Sequence, residues 1–258
     1  STYKGIKGFK VQSFAADPVP STVAWATGGS MNTGRRELGA ANQAPGHSAG
    51  LIFGGYKSPA GPTNATEEYN GTSWTSSNNM TTSRQRLAGA GIQTAGLAFG
   101  GGYPPTAHSE TEEYDGSSWT NGGGLGTARG RLGGSGTQTA GLAFGGSTVA
   151  EPPSKTNATE EYDGSSWTAG GVLSVPRFML GGGGTQTSAI AFGGNTNPPP
   201  GGTNATEEYG GTSWTTGGVL GTARYLLSGA GSQDAAIAIG GNDGSESSAC
   251  ELYNGSSW

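Results

Sequence analysis

Six tryptophans, Trp25, Trp74, Trp119, Trp167, Trp214 and Trp258, recur every 44 to 49 residues, and five similar units lie between them. The second to fourth units share an Arg, a Leu, Gly-x-Gly-x-Gln-Thr and a short apolar run into Gly-Gly. A Pro-rich stretch and Glu-Glu-Tyr-x-Gly-x-Ser-Trp then follow. A period of this length means one supersecondary unit copied in tandem, each copy burying its hydrophobic face against the next. In such a chain, specific chemistry belongs where the copies differ.

Length alone would allow two domains, but the repeat favours one closed array over residues 25–258 behind an N-terminal arm, residues 1–24. Glycine supplies 52 of 258 residues, well above the usual level of about 7 %. It falls at fixed repeat positions beside regularly spaced Trp and Tyr, which reads as ordered turns and not as disorder. Charged residues make up 12 % and the net charge is −5, with no basic stripe, so nucleic acid is not an expected partner. No apolar run approaches the ~18 residues of a membrane span, so no membrane insertion is expected. Lys4, Lys7 and Lys10 are not followed by an apolar core, which argues against a signal peptide. Cys250 is the sole cysteine and allows no internal disulfide.

Residues 84–119 show how one unit reads. Residues 87–93 are short, small and apolar, suited to an innermost strand crowded by its neighbours. Residues 94–99 form a second apolar strand ended by Gly100-Gly101. Residues 110–114 alternate polar and aromatic side chains, as a half-exposed third strand does. Asp115-Gly116 reads as a two-residue type I′ hairpin, and residues 117–120 as the fourth strand. Four antiparallel strands per unit make a propeller blade, and the five sets predict an all-β, five-bladed propeller.

An apolar strand ending in Gly-Gly, then a Tyr, then a Trp, with an Arg opening each unit, resembles the kelch repeat over about residues 25–258. That resemblance implies a propeller and leaves activity open, because a fold hosts many functions. The wording Asn-Ala-Thr-Glu-Glu-Tyr-Asn-Gly-Thr-Ser-Trp and Gly-Thr-Gln-Thr-Ala-Gly-Leu-Ala-Phe-Gly-Gly is similar to the repetitive virion or tail-fibre proteins of marine bacteriophages. So is the opening Tyr-Lys-Gly-Ile-Lys-Gly-Phe-Lys-Val-Gln. This second resemblance implies a virion location, with the N-terminal arm contacting other virion proteins.

The most regular polar residues are Arg35, Arg84, Arg129, Arg177 and Arg224, with Glu67, Glu112, Glu160, Glu207 and Glu251. They are either a charged ring lining a ligand channel or a structural ion pair copied with the blade. The ion pair is the expectation, because a buried Arg without its carboxylate is severely costly and the two types recur together. Thr-Glu-Glu suggests no acid–base pair. Neighbouring strand residues point to opposite faces, and repeated identical copies do not give two carboxylates different environments. The chain is therefore read as non-enzymatic. His47 and His108 lack ligand-spaced companions, so no metal site and no cofactor are expected. The Asn-x-Ser/Thr sites at Asn64, Asn70, Asn79, Asn157, Asn204 and Asn254 follow from composition.

Variation concentrates in the loops between second and third strands and in the residues just after each repeat Arg. Tyr56, Tyr103, Phe178 and Tyr225 are candidates for stacking on sugar faces, with Arg86 and Arg131 as polar neighbours. The leading expectation is a tail-fibre or adhesin-like module that binds a host-surface glycan. A structural or decoration protein of a particle is the alternative, and a glycan-active enzyme comes third. One ambiguity concerns closure: six Trp segments compete for five fourth-strand places. Trp258 is favoured for the last place through its local Asn254-Gly255 hairpin, with the segment before Trp25 outside it or along the ring seam.

Overall fold

The inner strands are built mainly from glycine, alanine and serine, and this sets how closely the sheets converge. In the computed structural model, which describes residues 27–41, 43, 48–103, 106–148, 154–196 and 201–258, they are Gly39–Ala41, Ala88–Ile92, Gly133–Gly136, Gly181–Gly184 and Ser228–Gly231. Each packs on the next in that order. A β-carbon at Gly89 would stand 2.4 Å from the Ala40 carbonyl oxygen. Only glycine permits that approach.

Each inner strand starts an antiparallel sheet. Blade 1 continues through Gly50–Phe53, Thr66–Tyr69 and Trp74–Ser77, and blade 2 through Ala95–Phe99, Thr111–Tyr114 and Trp119–Gly122. In blade 3 the later strands are Gly141–Phe144, Thr159–Tyr162 and Trp167–Ala169. Those of blade 4 are Ala189–Phe192, Thr206–Tyr209 and Trp214–Thr216. Blade 5 adds Ala236–Ile239 and Cys250–Leu252, and Trp258 stands where the other blades begin a fourth strand. The described residues thus form a five-bladed β-propeller with no helix, consistent with a kelch-like repeat. Trp25 and the arm lie outside the described residues.

The core is a set of wedges between blades and not one central mass. Leu97, Phe99, Leu125, Leu132, Ala143 and Tyr162 bury together between blades 2 and 3, and equivalent clusters fill the next two seams. Each wedge is capped by a tryptophan. Trp119 meets Phe53 of the preceding blade edge-on at 5.0 Å, and its Nε1 donates to the Thr66 hydroxyl at 3.0 Å. Trp258 does the same with Phe192 at 4.7 Å and Thr206 at 2.9 Å. Trp258 therefore holds the Trp place of the fifth blade.

The hairpin between third and fourth strands differs from the two-residue turn expected. Tyr114 pairs with Trp119, which leaves a four-residue loop in which Gly116 takes a positive φ of 92°. Asp115 Oδ1 accepts from the backbone N–H of Ser117 at 2.8 Å and of Ser118 at 2.7 Å. This side-chain cap replaces the left-handed residue that a type I′ turn would need at position 115. Those hydrogen bonds, that from the Ser118 N–H above all, hold the carboxyl pKa down at about 2.

Candidate functional site

Two polar devices make the scaffold rigid. The first is the Arg–Glu pair. Arg84 meets Glu112 at 2.9 Å, Arg129 meets Glu160 at 3.0 Å, Arg177 meets Glu207 at 2.9 Å, Arg224 meets Glu251 at 2.6 Å and Arg35 meets Glu67 at 3.2 Å. The four arginines from Arg84 onward are buried. Arg177 also donates to the carbonyls of Gly193 at 3.1 Å and Ala205 at 2.9 Å. The second oxygen of each Glu takes a backbone N–H of the linker entering that blade, as Glu207 does from Ser174 at 2.8 Å. Burial pushes the Arg177 guanidinium below its ordinary pKa, Glu207 pulls it back, and an arginine stays charged.

The second device joins blades. The neighbouring Glu of each pair points the other way and accepts the tyrosine hydroxyl of the next blade: Tyr162 donates to Glu113 at 2.5 Å and Tyr253 to Glu208 at 2.5 Å. Tyr114 to Glu68 and Tyr209 to Glu161 repeat the contact. Each of these Glu-Glu pairs is thus divided between two structural contacts. Repeat glutamines add a strap that sequence reading overlooked. Gln186 Nε2 donates to the carbonyls of Gly141 at 3.1 Å and Tyr162 at 2.7 Å, both in the preceding blade. Gln93, Gln138 and Gln233 repeat it.

On this frame the blades differ at one end of the axis. Glu37, Arg86, Arg131, Met179 and Leu226 each take the left-handed φ of 57°. Non-glycine residues rarely adopt that conformation, and strain of this kind collects at functional sites. Its local cause is visible. The backbone N–H groups of Arg86, Arg131, Met179 and Leu226 each donate to the equivalent carbonyl of the preceding blade at 2.8 to 2.9 Å. The five side chains ring a mouth of about 200 Å³, floored by Leu38, Leu87, Leu132, Leu180 and Leu227. Around it the chemistry is uneven: Arg86 pairs with Glu37 at 2.8 Å, while Met179 and Leu226 are apolar.

A second, wider ring surrounds the mouth. The residue after each repeat Arg bridges to the residue after each Gly-Gly: Arg36 to Tyr56, Gly130 to Ser147, Phe178 to Asn195 and Tyr225 to Asn242. In blade 2, Gly102 N–H donates to the Gln85 carbonyl at 2.6 Å. Short hairpins rise beyond it, Tyr56–Lys57 with Gly61–Pro62 and Gly102–Tyr103 with Thr106–Ala107.

The candidate ligand residues therefore share one face, but not with equal access. The Arg36 guanidinium covers the Tyr56 ring at 4.8 Å, and Tyr225 is half-buried. Phe178 is 4 % exposed beneath Arg131, whose guanidinium lies 5.5 Å from the ring centroid. Its ring is a support for Arg131 and not an open stacking platform, because it lies on the bridged backbone beneath the mouth. Tyr103 takes its place in a hairpin strand.

Elsewhere the polar residues have local duties. His108 lies 3.2 Å from Glu110, and His47 lies outside the described residues. Among the described residues no group of three or more His, Cys, Asp or Glu is placed to hold a metal. Asn64, Asn157 and Asn204 donate side-chain amides to the linker carbonyls of Met80, Leu173 and Leu220. Asn70 and Asn254 cap their turns. No protein-family model matches the chain, and no curated protein matches it in sequence.

Proposed function

We propose that this propeller is a non-enzymatic binding module of a virus particle, of the tail-fibre or adhesin kind, that takes a host-surface glycan on its mouth-bearing face. One observation carries the reading: the residues that vary just after each repeat Arg line one shared mouth, with the bridged loop residues around it. Rigid scaffolds commonly present binding groups in this way. The mouth offers a charged pair, Arg86 with Glu37, beside the apolar Met179 and Leu226. Sugars call for this mixture, since they present hydroxyls on their edges and C–H groups on their faces. The resemblance of the repeats to marine bacteriophage virion proteins supplies the particle and the host surface. A particle-structural role is the second reading, favoured by an apolar sheet face left open on blade 5. A glycan array and a pull-down on host envelope polysaccharide separate the two: retention supports the binding module, and no retention supports the structural role.

A further inference from the structure

Two of the five residues around the mouth are arginines, and they are neighbours. The Arg131 N–H donates to the Arg86 carbonyl at 2.8 Å, and the Arg86 N–H to the Glu37 carbonyl at 2.8 Å. The three charged residues of the rim therefore follow one another on blades 1, 2 and 3. Two guanidiniums share the mouth with one carboxylate, in a chain whose net charge is −5. Arg86 holds Glu37, Nη2 to Oε1, at 2.8 Å. Arg131 is braced from below by the Phe178 ring, 5.5 Å from its guanidinium. A ring under a guanidinium meets its flat face and fixes the arm in place, which lowers the ordering cost of binding.

The rest of the mouth is apolar. Leu38, Leu87, Leu132, Leu180 and Leu227 form the floor, and Met179 and Leu226 complete the rim. Leu226 is 55 % exposed and left-handed, so a bulky apolar side chain is held toward solvent on a costly backbone. Low-dielectric walls strengthen the pull of the surplus positive charge. At the far end of the axis Gln43 joins three blades. Its backbone N–H donates to the Gly91 carbonyl at 2.9 Å, and its Nε2 to the Gly184 carbonyl at 2.5 Å. A ligand therefore enters by the mouth and does not thread the ring. The volume of about 200 Å³ lies below the ~300–1,000 Å³ of sites for drug-sized ligands, so the mouth takes one sugar residue.

We infer, resting on the glycan reading, that the mouth takes a terminal carboxylate-bearing sugar. Its carboxylate lies between the Arg86 and Arg131 guanidiniums, and its C–H face lies on Met179 and Leu226. The planar fork of arginine gives a carboxylate two parallel, charge-assisted hydrogen bonds, which a neutral sugar cannot match. Glu37 is then a competitor for Arg86 and not a ligand of the sugar.

A glycan array tests this when it carries uronate- and sialate-terminated oligosaccharides, each beside its carboxyl-reduced form. Retention of the acids, with the reduced forms at least about tenfold weaker, supports the inference. Equal retention of both forms overturns it and leaves the glycan reading standing, whereas retention of neither removes both. Calorimetric titration of the best-retained acid then compares the intact chain with two variants. Arg131→Ala should bring the acid down to the affinity of its reduced form. Glu37→Gln keeps an acceptor for Arg86 and removes the competing charge, so the acid should bind about threefold more tightly or better at low salt. An Arg131→Ala protein that prefers the acid as the parent does, or weaker binding of the acid by Glu37→Gln, overturns the inference. If Arg131→Ala does not fold, Glu37→Gln decides alone.

Discussion

The Tyr162 hydroxyl donates to Glu113 Oε1 of the preceding blade at 2.5 Å, and this one bond shows how the ring is pinned from blade to blade. Burial, and then the facing carboxylate, push the phenol pKa above its ordinary value in Tyr162, and to about 12 in Tyr114 and Tyr209. A raised folded-state pKa leaves its stabilisation fully present below the unfolded value of about 10. As pH rises toward 12 the unfolded phenols ionise first, and stability falls. Denaturant melts should thus be flat from pH 7 to 9 and weaken steeply between about 10 and 12. Tyr162→Phe should cost about 1–3 kcal/mol at pH 8, because Glu113 loses its donor. A flat stability profile through pH 12 would count against the pins.

Arg177 shows a second dependence. Its two terminal nitrogens donate to Glu207 and to the carbonyls of Gly193 and Ala205. Removing one partner of a buried pair strands the other charge, so Arg177→Ala should cost about 3–5 kcal/mol in urea melts. Arg177→Lys should recover little of that, since an ammonium cannot span carboxylate and carbonyls with a planar fork. Near-parental stability of the Lys variant would show that charge alone suffices.

The tryptophans are not equivalent. Trp119 is 7 % exposed between Phe53 and Tyr114, whereas Trp74 is half-buried against its own Tyr69. Trp119→Ala should cost about 3–5 kcal/mol, the usual range for a large buried aromatic. Trp74→Ala should cost clearly less. Equal losses in thermal melts would mean that Trp74 is clamped between two blades like the rest.

Gly210 is the odd residue among the five turns, where Asn70, Asp115, Asp163 and Asn254 cap the loop. A side-chain carbon there meets nothing within 4 Å. Gly210→Asp should add the missing cap and restrict the unfolded chain, raising stability by about 0.5–1 kcal/mol. A lower melting temperature would contradict this.

Much of the fold was legible because local signals agreed with the period. Gly-Gly after each second strand, a Tyr in the third and a Trp opening the fourth all sit where the repeat put them. The inter-blade contacts were harder to read. Gln186 looks like a turn residue in sequence, because its carbonyl partners lie 45 and 24 residues back in another blade. Asp115-Gly116 satisfies both a type I′ turn and a capped four-residue loop, and the aspartate's own hydrogen bonds choose the second. At the candidate site, the variable positions Tyr56, Arg86, Arg131 and Tyr225 lie at one and the same end of the ring. Sequence variation could not reveal that Phe178 lies beneath Arg131, or that five mouth residues share a left-handed backbone. Both facts depend on how neighbouring blades meet.

The most direct test of the account measures glycan binding when each end of the ring is altered in turn. Arg86→Ala and Tyr225→Ala change the mouth face, and Ser117→Ala changes a turn on the opposite face. By calorimetric titration with host envelope polysaccharide, both mouth variants should bind at least about tenfold more weakly. Binding of the turn variant should be unchanged, and all three melting temperatures should stay within a few degrees of the parent. Parental affinity in both mouth variants, with the fold intact, would contradict it.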